Sequence, residues 1–316
     1  MQELRKRASE LLASGEVARV LGWRIGDLPY NPEPAYFVSE KELEKFIYDD
    51  FCSANLSKFL IEATKLDGKT AVFLKPCDTY SFNQLLMEHR VDRDKTYIIG
   101  VACNGKLDIE NIKAQGIKGI ESIEGTTVKT FYGDKQFNRD EALLERCRVF
   151  DCSKHQVYDE LIGEQAKEVK TLERFAKVEE IEAMDSKEKF AYFQSELSKC
   201  IRCNACRNVC PACSCRKCVF DSTKFDSDVK ANSDTFEEKM FHIIRAYHVA
   251  GRCTDCGECT RVCPQGIPLH LFNRKFIKDI NEFYGEFEAG ANIETKGPLT
   301  DFTFDDVEPS IVGERG

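Results

Sequence analysis

The sequence of 316 residues lacks an excess of basic charge. It contains 45 lysines and arginines against 54 aspartates and glutamates, so its net charge is −9, and its pI is near 5.3. Proteins that bind nucleic acids neutralise phosphates with a basic face. The composition therefore argues against a nucleic acid as the partner.

Long apolar runs are also missing. No stretch approaches the roughly 18 apolar residues that a membrane-spanning helix needs. The N-terminal stretch MQELRKRASELLASG has no apolar core of the signal-peptide type. Its apolar residues have helical spacing instead, which predicts a packed helix; they are Leu4, Ala8, Leu11 and Leu12. We expect a cytoplasmic protein without a membrane span.

Cysteine, by contrast, is abundant, with 16 residues. Without an export signal we do not expect disulfides, and the spacing predicts thiolates that bind metal. One run has the pattern C-x2-C-x2-C-x3-C-P, with Cys200, Cys203, Cys206, Cys210 and Pro211. A second run repeats the pattern with Cys253, Cys256, Cys259, Cys263 and Pro264.

This double run is the ferredoxin pattern for two 4Fe–4S clusters, in which the fourth cysteine of each run binds the other cluster. Cluster one should therefore be held by Cys200, Cys203, Cys206 and Cys263. Cluster two should be held by Cys253, Cys256, Cys259 and Cys210. The alternative is a pair of zinc sites, although zinc fingers use two ligand pairs rather than triplets followed by Cys-Pro.

The 42 residues between Cys210 and Cys253 include an amphipathic helical pattern. Together with RAYHVAGRCTDCGECTRVCPQGIPL, this segment resembles the α-helical ferredoxin modules of heterodisulfide reductase and succinate dehydrogenase iron–sulfur subunits. The pattern places Phe236, Met240, Ile243, Ile244 and Tyr247 on one buried face. His242 and His248 flank that face, where packing or surface roles are more common for a histidine than metal ligation.

The first half contains a predicted strand–helix–strand unit. TAVFLKPCD (70–78) is typical of a buried strand, TYSFNQLLMEHR (79–90) of a helix, and TYIIGVACNG (96–105) of a second strand. Such a crossover makes the two strands parallel. Cys77 and Cys103 should then lie at the same edge of the sheet, where open α/β sheets bind ligands.

LKPCDTYSFNQLL and TYIIGVACNG resemble the beta-subunit family of deazaflavin-reducing hydrogenases and formate dehydrogenases, over roughly residues 16–163. The resemblance implies a further 4Fe–4S cluster, the first-domain cluster, on Cys77, Cys103, Cys147 and Cys152. The spacing of the last two is C-x4-C, where C-x2-C is expected, and four buried structural thiols are the alternative.

That family often binds a flavin through glycine-rich backbone, because amides approach a pyrophosphate only where side chains are absent. This sequence has no Gly-Gly pair, no G-x-G-x-x-G and no P-loop pattern, so it does not favour a bound flavin. Lys75, next to the Cys77 turn, could neutralise an anionic cluster or cofactor, or could be a solvated lysine. No catalytic constellation stands out, and we assign no catalytic residue.

Cys213, Cys215 and Cys218 follow the first ferredoxin run as C-x-C-x2-C. A fourth cluster there needs one more thiolate, and Cys52 is the cysteine not otherwise assigned. The alternative is that the three cysteines bind zinc or remain free thiols. At four irons per cube, four clusters would give about 16 irons per chain.

We expect an α/β domain with a partly parallel sheet over residues 1–165 and a charged, exposed connecting helix over 166–184. A mainly α-helical double-cluster ferredoxin domain should follow over 185–288, opened by a capping box at Asp185 and Glu188. An extended acidic tail should occupy 289–316.

These features predict an electron-transfer subunit of a cytoplasmic multisubunit oxidoreductase, without catalytic residues of its own. Its partners would be other redox subunits, including a catalytic subunit that contains flavin or metal. The alternative is a flavin-containing subunit that itself oxidises or reduces a soluble carrier. A zinc-stabilised interaction module remains a third class if the metal is not iron.

Overall fold

The computed structural model describes residues 1–150, 153–164, 170–216, 218–221 and 235–299. Cys152, one of the predicted ligands, lies outside these residues. Within the described ranges, each helix is either too short or too polar to cross a lipid bilayer.

A mixed sheet forms the centre of the first half. In the described part of the chain its strands are β1 (Arg19–Arg24), β2 (Glu33–Phe37), β3 (Phe46–Ile47), β4 (Thr70–Leu74), β5 (Thr96–Val101) and β9 (Glu160–Ile162). The order is β2-β1-β4-β5-β9, with β3 also beside β1. Strands β1, β4, β5 and β9 pair in parallel with their neighbours in this order. Strands β2 and β3 pair antiparallel with β1. The predicted partly parallel sheet is confirmed.

A smaller antiparallel sheet and several helices surround the central one. The small sheet contains β6 (Ile120–Glu124), β7 (Thr127–Thr130) and β8 (Lys135–Gln136). The helices are α1 (Gln2–Ala13), α2 (Glu40–Leu43), α3 (Leu60–Ala63), α4 (Pro76–Met87), α5 (Ile109–Ala114), α6 (Arg139–Ala142) and α7 (Glu145–Val149), with a 3-10 turn at Leu56–Phe59. Helix α1 buries Leu4, Ala8 and Leu11, as its spacing predicts.

The predicted strand–helix–strand unit is β4–α4–β5, and its strands are parallel. Helix α4 begins at Pro76, three residues earlier than the sequence pattern suggested. Proline has no backbone N–H and fits the first position of a helix. The backbone N–H of Lys75 also donates to Asp78, three residues on. Cys77 therefore lies in the first turn of a helix, whereas the sequence pattern places it at the end of the preceding strand.

The second half is mainly helical. Its helices are α8 (Ala176–Ala183), α9 (Ser186–Leu197), α10 (Ala205–Val209), α11 (Thr235–His248), α12 (Glu258–Arg261) and α13 (His270–Tyr284), with a 3-10 turn at Val219–Asp221. The predicted capping box is present at the start of α9, where Asp185 and Glu188 each accept from the other's backbone N–H. The domain boundaries themselves stay predictions.

Two helix faces differ from the expectations. In the described part of the connecting segment, α8 buries Val178 and Ile181 against Leu271 of α13, so it is not fully exposed. Over 240–248, where the side chains of α11 are described, the expected face is wrong, because Met240, Ile243 and Tyr247 are exposed. Phe236, also expected on that face, lies outside the described side chains. The buried side chains in this described part of α11 are those of Phe241, His242, Arg245 and Ala246. The helix is rotated so that two polar side chains face the cysteine loops.

The segment after α13 has no helix or strand over its described residues, which end at 299. It packs at its start against α4. The Asn83 side chain donates to the Gly290 carbonyl at 3.0 Å. A Cβ on Gly290 would lie 2.0 Å from the Tyr80 carbonyl oxygen, and its φ is +76°, so this position requires glycine. The rest of the predicted acidic tail, 300–316, lies outside the described residues.

Candidate metal centres

The two ferredoxin loops have the same backbone conformation. Each places a residue with positive φ directly before and directly after its second cysteine. These residues are Arg202 and Asn204 in the first loop, and Asp255 and Gly257 in the second. A short helix then follows in each, α10 and α12. Positive φ is rare outside glycine, so its recurrence at matched positions indicates two loops built for the same task.

The predicted ligands of cluster one lie around one cavity. Its lining includes Cys200, Cys203, Cys206 and Cys263. The first three come from one loop and the fourth comes from the second run. The wall behind them is apolar, with Phe241, Ile267 and Leu269 buried. A donor set of four thiols against an apolar wall fits a 4Fe–4S cluster, which is held by thiolates.

Cys210 of the first run lies with the second loop. It packs in a small buried group whose other members include Cys253. Burial raises the pKa of Cys253 and of Cys256 well above the ordinary thiol value, and negative charge on Cys210 raises both further. Burial also raises the pKa of Cys259 to about 12. Buried together in this way, the thiols would carry negative charge only when a bound metal holds them as thiolates.

Two buried side chains of α11 contact these loops. Arg245 donates to the Cys206 carbonyl at 3.1 Å, and burial alone would lower its pKa, but charge on Cys210 and Cys259 raises it. His242 places its Nε2 atom 3.2 Å from the Cys200 sulfur. Burial, helped by the Arg245 and Arg202 charges, lowers the pKa of His242 to about 3, so the ring is neutral. Sequence reasoning missed both roles, and their only sequence signal is the i, i+3 spacing.

We predict that His242→Phe lowers the reduction potential of cluster one. In the tautomer with its proton on Nε2, the neutral ring donates to the Cys200 sulfur, and such a donor to a ligand sulfur stabilises the more negative, reduced state. A hydrogen bond of about 1.4 kcal/mol corresponds to about 59 mV for one electron, so a shift on the order of 50 mV is expected. Potentiometric titration followed by electron paramagnetic resonance (EPR) measures it. His248→Phe, in the same helix, is the control, and equal shifts in both variants would contradict the prediction.

The first-domain cysteines lie at the predicted edge of the sheet. Cys77 is in the first turn of α4, Cys103 lies two residues after β5, and Cys147 is in α7. The backbone N–H of Lys106 donates to the Cys147 sulfur at 3.4 Å, which joins the loop after β5 to α7. Burial raises the pKa of Cys147 to about 11, and charge on Cys103 and Cys77 adds to the shift. The fold therefore places these three thiols at the same edge of the sheet.

Lys75 is fully buried, so the alternative of a solvated lysine is wrong. Its ammonium group lies 2.7 Å from an Asp78 carboxylate oxygen and 2.8 Å from the Ala54 carbonyl. It also lies 4.5 Å from the centre of the Trp23 ring. A buried charge is tolerated only when it is paired and hydrogen-bonded in this way. Its predicted role in neutralising a cofactor stays a prediction.

The cysteines assigned to the fourth cluster lie in two places. Cys213, Cys215 and Cys218 line one cleft with several basic side chains, which are Lys58, Arg207, Arg216, Arg245, His248 and Arg252. Cys52 is buried in the main core of the first half. Its sulfur lies 3.4 Å from an Asp49 carboxylate oxygen, and burial raises its pKa to about 12. The participation of Cys52 stays a prediction.

Comparison with known proteins bears on part of the second half. Residues 196–267 match a family described as a 4Fe-4S dicluster domain. This confirms the predicted iron–sulfur electron-transfer module. Among the described residues, the ferredoxin loops included, no three or more His, Cys, Asp or Glu side chains are grouped so that they could hold one metal ion.

Relatives extend over most of the chain. One is the F420-dependent formate dehydrogenase subunit beta of Methanocaldococcus jannaschii, 24% identical over 85% of this chain and 86% of the relative. Another is the F420-dependent formate dehydrogenase 1 subunit beta of Methanococcus maripaludis, 26% identical over 76% of this chain and 78% of the relative. The predicted resemblance to the beta-subunit family is confirmed.

A solved structure, the xenon-derivatised F420-reducing [NiFe] hydrogenase complex from Methanosarcina barkeri, also matches in part. Its chain is 17% identical, and the TM-score is 0.35. The match covers 47% of this chain and 62% of that chain.

Proposed function

We propose that this chain, with its 4Fe–4S dicluster domain and its likeness to formate dehydrogenase beta subunits, is the electron-relay subunit of a cytoplasmic multisubunit oxidoreductase. Its partner subunit would oxidise formate or hydrogen, and a deazaflavin or nicotinamide carrier would stand at the other end of the relay. The observation that carries the proposal is the exchange of cysteines between the runs. Cys263 lines the cavity of the first loop, and Cys210 packs with the second.

Each bound 4Fe–4S cluster would supply a site that accepts and releases one electron. The protein's own residues then have three tasks. Cysteine thiolates fix the clusters, with Cys200, Cys203, Cys206 and Cys263 for cluster one, and Cys210, Cys253, Cys256 and Cys259 for cluster two. Arg245, buried between the two sets, offsets the negative charge that reduction adds. The apolar wall of Phe241, Ile267 and Leu269 keeps water from cluster one.

We further propose the first-domain cluster on Cys77, Cys103, Cys147 and Cys152. The position of the three described thiols at one edge of the sheet supports it, and Lys75 lies two residues from Cys77 with its charge buried. We also propose the fourth cluster, on Cys213, Cys215, Cys218 and Cys52, although Cys52 lies in the main core of the first half. The basic cleft around the other three would suit an anionic centre.

Composition of the anaerobically purified chain tests these proposals. We predict no stoichiometric flavin, because the sequence has no glycine-rich loop. The iron content should be about 16, 12 or 8 atoms per chain for four, three or two clusters. Formate or hydrogen, supplied with the co-purifying catalytic subunit, should bleach the visible iron–sulfur absorbance. Acid release of one flavin per chain would favour the alternative of a flavin-containing subunit. Zinc in place of iron would overturn the electron-relay function.

Iron counting of Cys215→Ser separates the outcomes for the fourth cluster. A loss of about four irons relative to the unsubstituted chain supports it. An unchanged count removes it while leaving the other three clusters standing. The matched control is Cys52→Ser, which should cause the same loss only if Cys52 is the missing ligand.

A further inference from the structure

A buried ion pair lies at the boundary between the two halves. Arg146 of α7 and Glu258 of α12 lie 2.6 Å apart, and their side chains are 6% and 0% exposed. The Glu258 carboxylate also accepts from the backbone N–H of Asn55 at 3.2 Å. Beside this pair, the Ser81 and Thr254 hydroxyls lie 2.9 Å apart. The second ferredoxin loop therefore contributes contacts to both α4 and α7.

Arg146 reaches both sets of candidate ligands. It is the residue before Cys147, and its guanidinium donates to the Cys256 carbonyl and to the Ser53 carbonyl. The charges that act on this guanidinium include those of Cys77 and Cys147 on one side and Cys256 on the other. An arginine cannot lose its proton in a protein. A permanent positive charge is thus fixed between cluster two and the first-domain cysteines.

The loop is shaped to admit this side chain. Gly257 follows Cys256 with φ +66°, and a Cβ there would lie 3.3 Å from the Arg146 side chain. Glycine satisfies both the backbone conformation and the close approach. The first loop has Asn204 at the matching position. Of the two loops, therefore, only the second has a glycine where the Arg146 side chain approaches the backbone.

We infer that Arg146 is a positioning residue that couples cluster two to the first-domain cluster across the boundary between the two halves. The inference rests on the proposed function, in which Cys77, Cys103 and Cys147 hold a cluster. A buried cation between two anionic centres stabilises the reduced state of each, because reduction adds negative charge. At this boundary, electrons would therefore pass between these two centres, and cluster one would lie beyond cluster two.

Reduction potentials of all centres in Arg146→Gln, measured by EPR-monitored titration of the full chain, test the inference. The potentials of cluster two and of the first-domain cluster should both fall, and that of cluster one should stay unchanged. Arg146→Lys, which keeps the charge, should restore part of both shifts. Arg261→Gln is the matched control, because Arg261 also pairs with Glu258 at 2.7 Å but from the partly exposed side. Shifts confined to one centre, or equal in the control, would overturn the inference.

Glu258→Gln gives a second measurement with the opposite sign. Removing this buried negative charge beside Cys256 should raise the potential of cluster two, whereas general loosening of the fold would not reverse the sign between the two variants. A fall in both variants contradicts the inference even if Arg146→Gln is poorly folded. Iron analysis tests the proposed first-domain cluster independently of these potentials. If that cluster is absent, its ligand assignment is wrong, and the coupling inference is then wrong too, even when the potential of cluster two shifts as expected.

Discussion

Replacing Cys210 by serine is expected to damage the cluster held by the second loop while leaving the cluster of the first loop intact. In sequence Cys210 belongs to the first run, yet it packs with Cys253 in a small core. Its charge also acts on the thiols of Cys256 and Cys259. Loss of one thiolate of four should convert or empty that site. EPR and Mössbauer spectra of the reconstituted variant would identify which cluster changes.

The mirror-image control is Cys263→Ser. Cys263 belongs to the second run but lines the cavity of Cys200, Cys203 and Cys206. This variant should spare cluster two and damage cluster one. If instead each substitution damages the cluster of its own run, ligation is not crosswise, and the ligand sets proposed for both clusters must be exchanged at these two positions.

The parts of the site that could be predicted are those encoded by local spacing. Two runs of three cysteines separated by two residues specify two loops, and Cys-Pro specifies where each loop ends. The β4–α4–β5 unit is equally local, because alternating apolar runs and a helical pattern occur within about 30 residues. The unit places Cys77 and Cys103 at one edge of the sheet without any further information, since parallel strands end at the same edge.

The charged residues around the loops could not be predicted in this way. Arg146 lies 112 residues from Glu258 in sequence, and nothing in the pattern of either segment marks the pair. In α11 the hydrophobic stripe pointed to the wrong face. Burying His242 and Arg245 beside the cysteines leaves Ile243 and Tyr247 exposed, so the requirements of an anionic centre outweigh apolar burial there. Tertiary electrostatics of this kind override the helical hydrophobic pattern.

Replacing Lys75 by methionine is expected to destabilise the first domain strongly. The Lys75–Asp78 ion pair is fully buried on both sides. Burial alone would lower the pKa of Lys75, but Asp78 and Cys77 raise it above its ordinary value, so the side chain carries its charge. Removing one partner of a buried pair leaves an uncompensated charge and costs about 3–5 kcal/mol of unfolding free energy. The midpoint of urea denaturation, compared under anaerobic conditions, measures the loss.

Two comparisons make this result specific to the buried pair. Lys113→Met removes an ion pair to Glu110 with the same three-residue separation, but there the side chains are 44% and 72% exposed. Exposed pairs contribute about 0–1 kcal/mol, so the midpoint should barely move. The double variant Lys75→Met/Asp78→Asn removes both charges and should recover much of the stability lost in Lys75→Met. If the double variant is no more stable than the single one, the cost arises from lost packing against Trp23 rather than from the unpaired carboxylate.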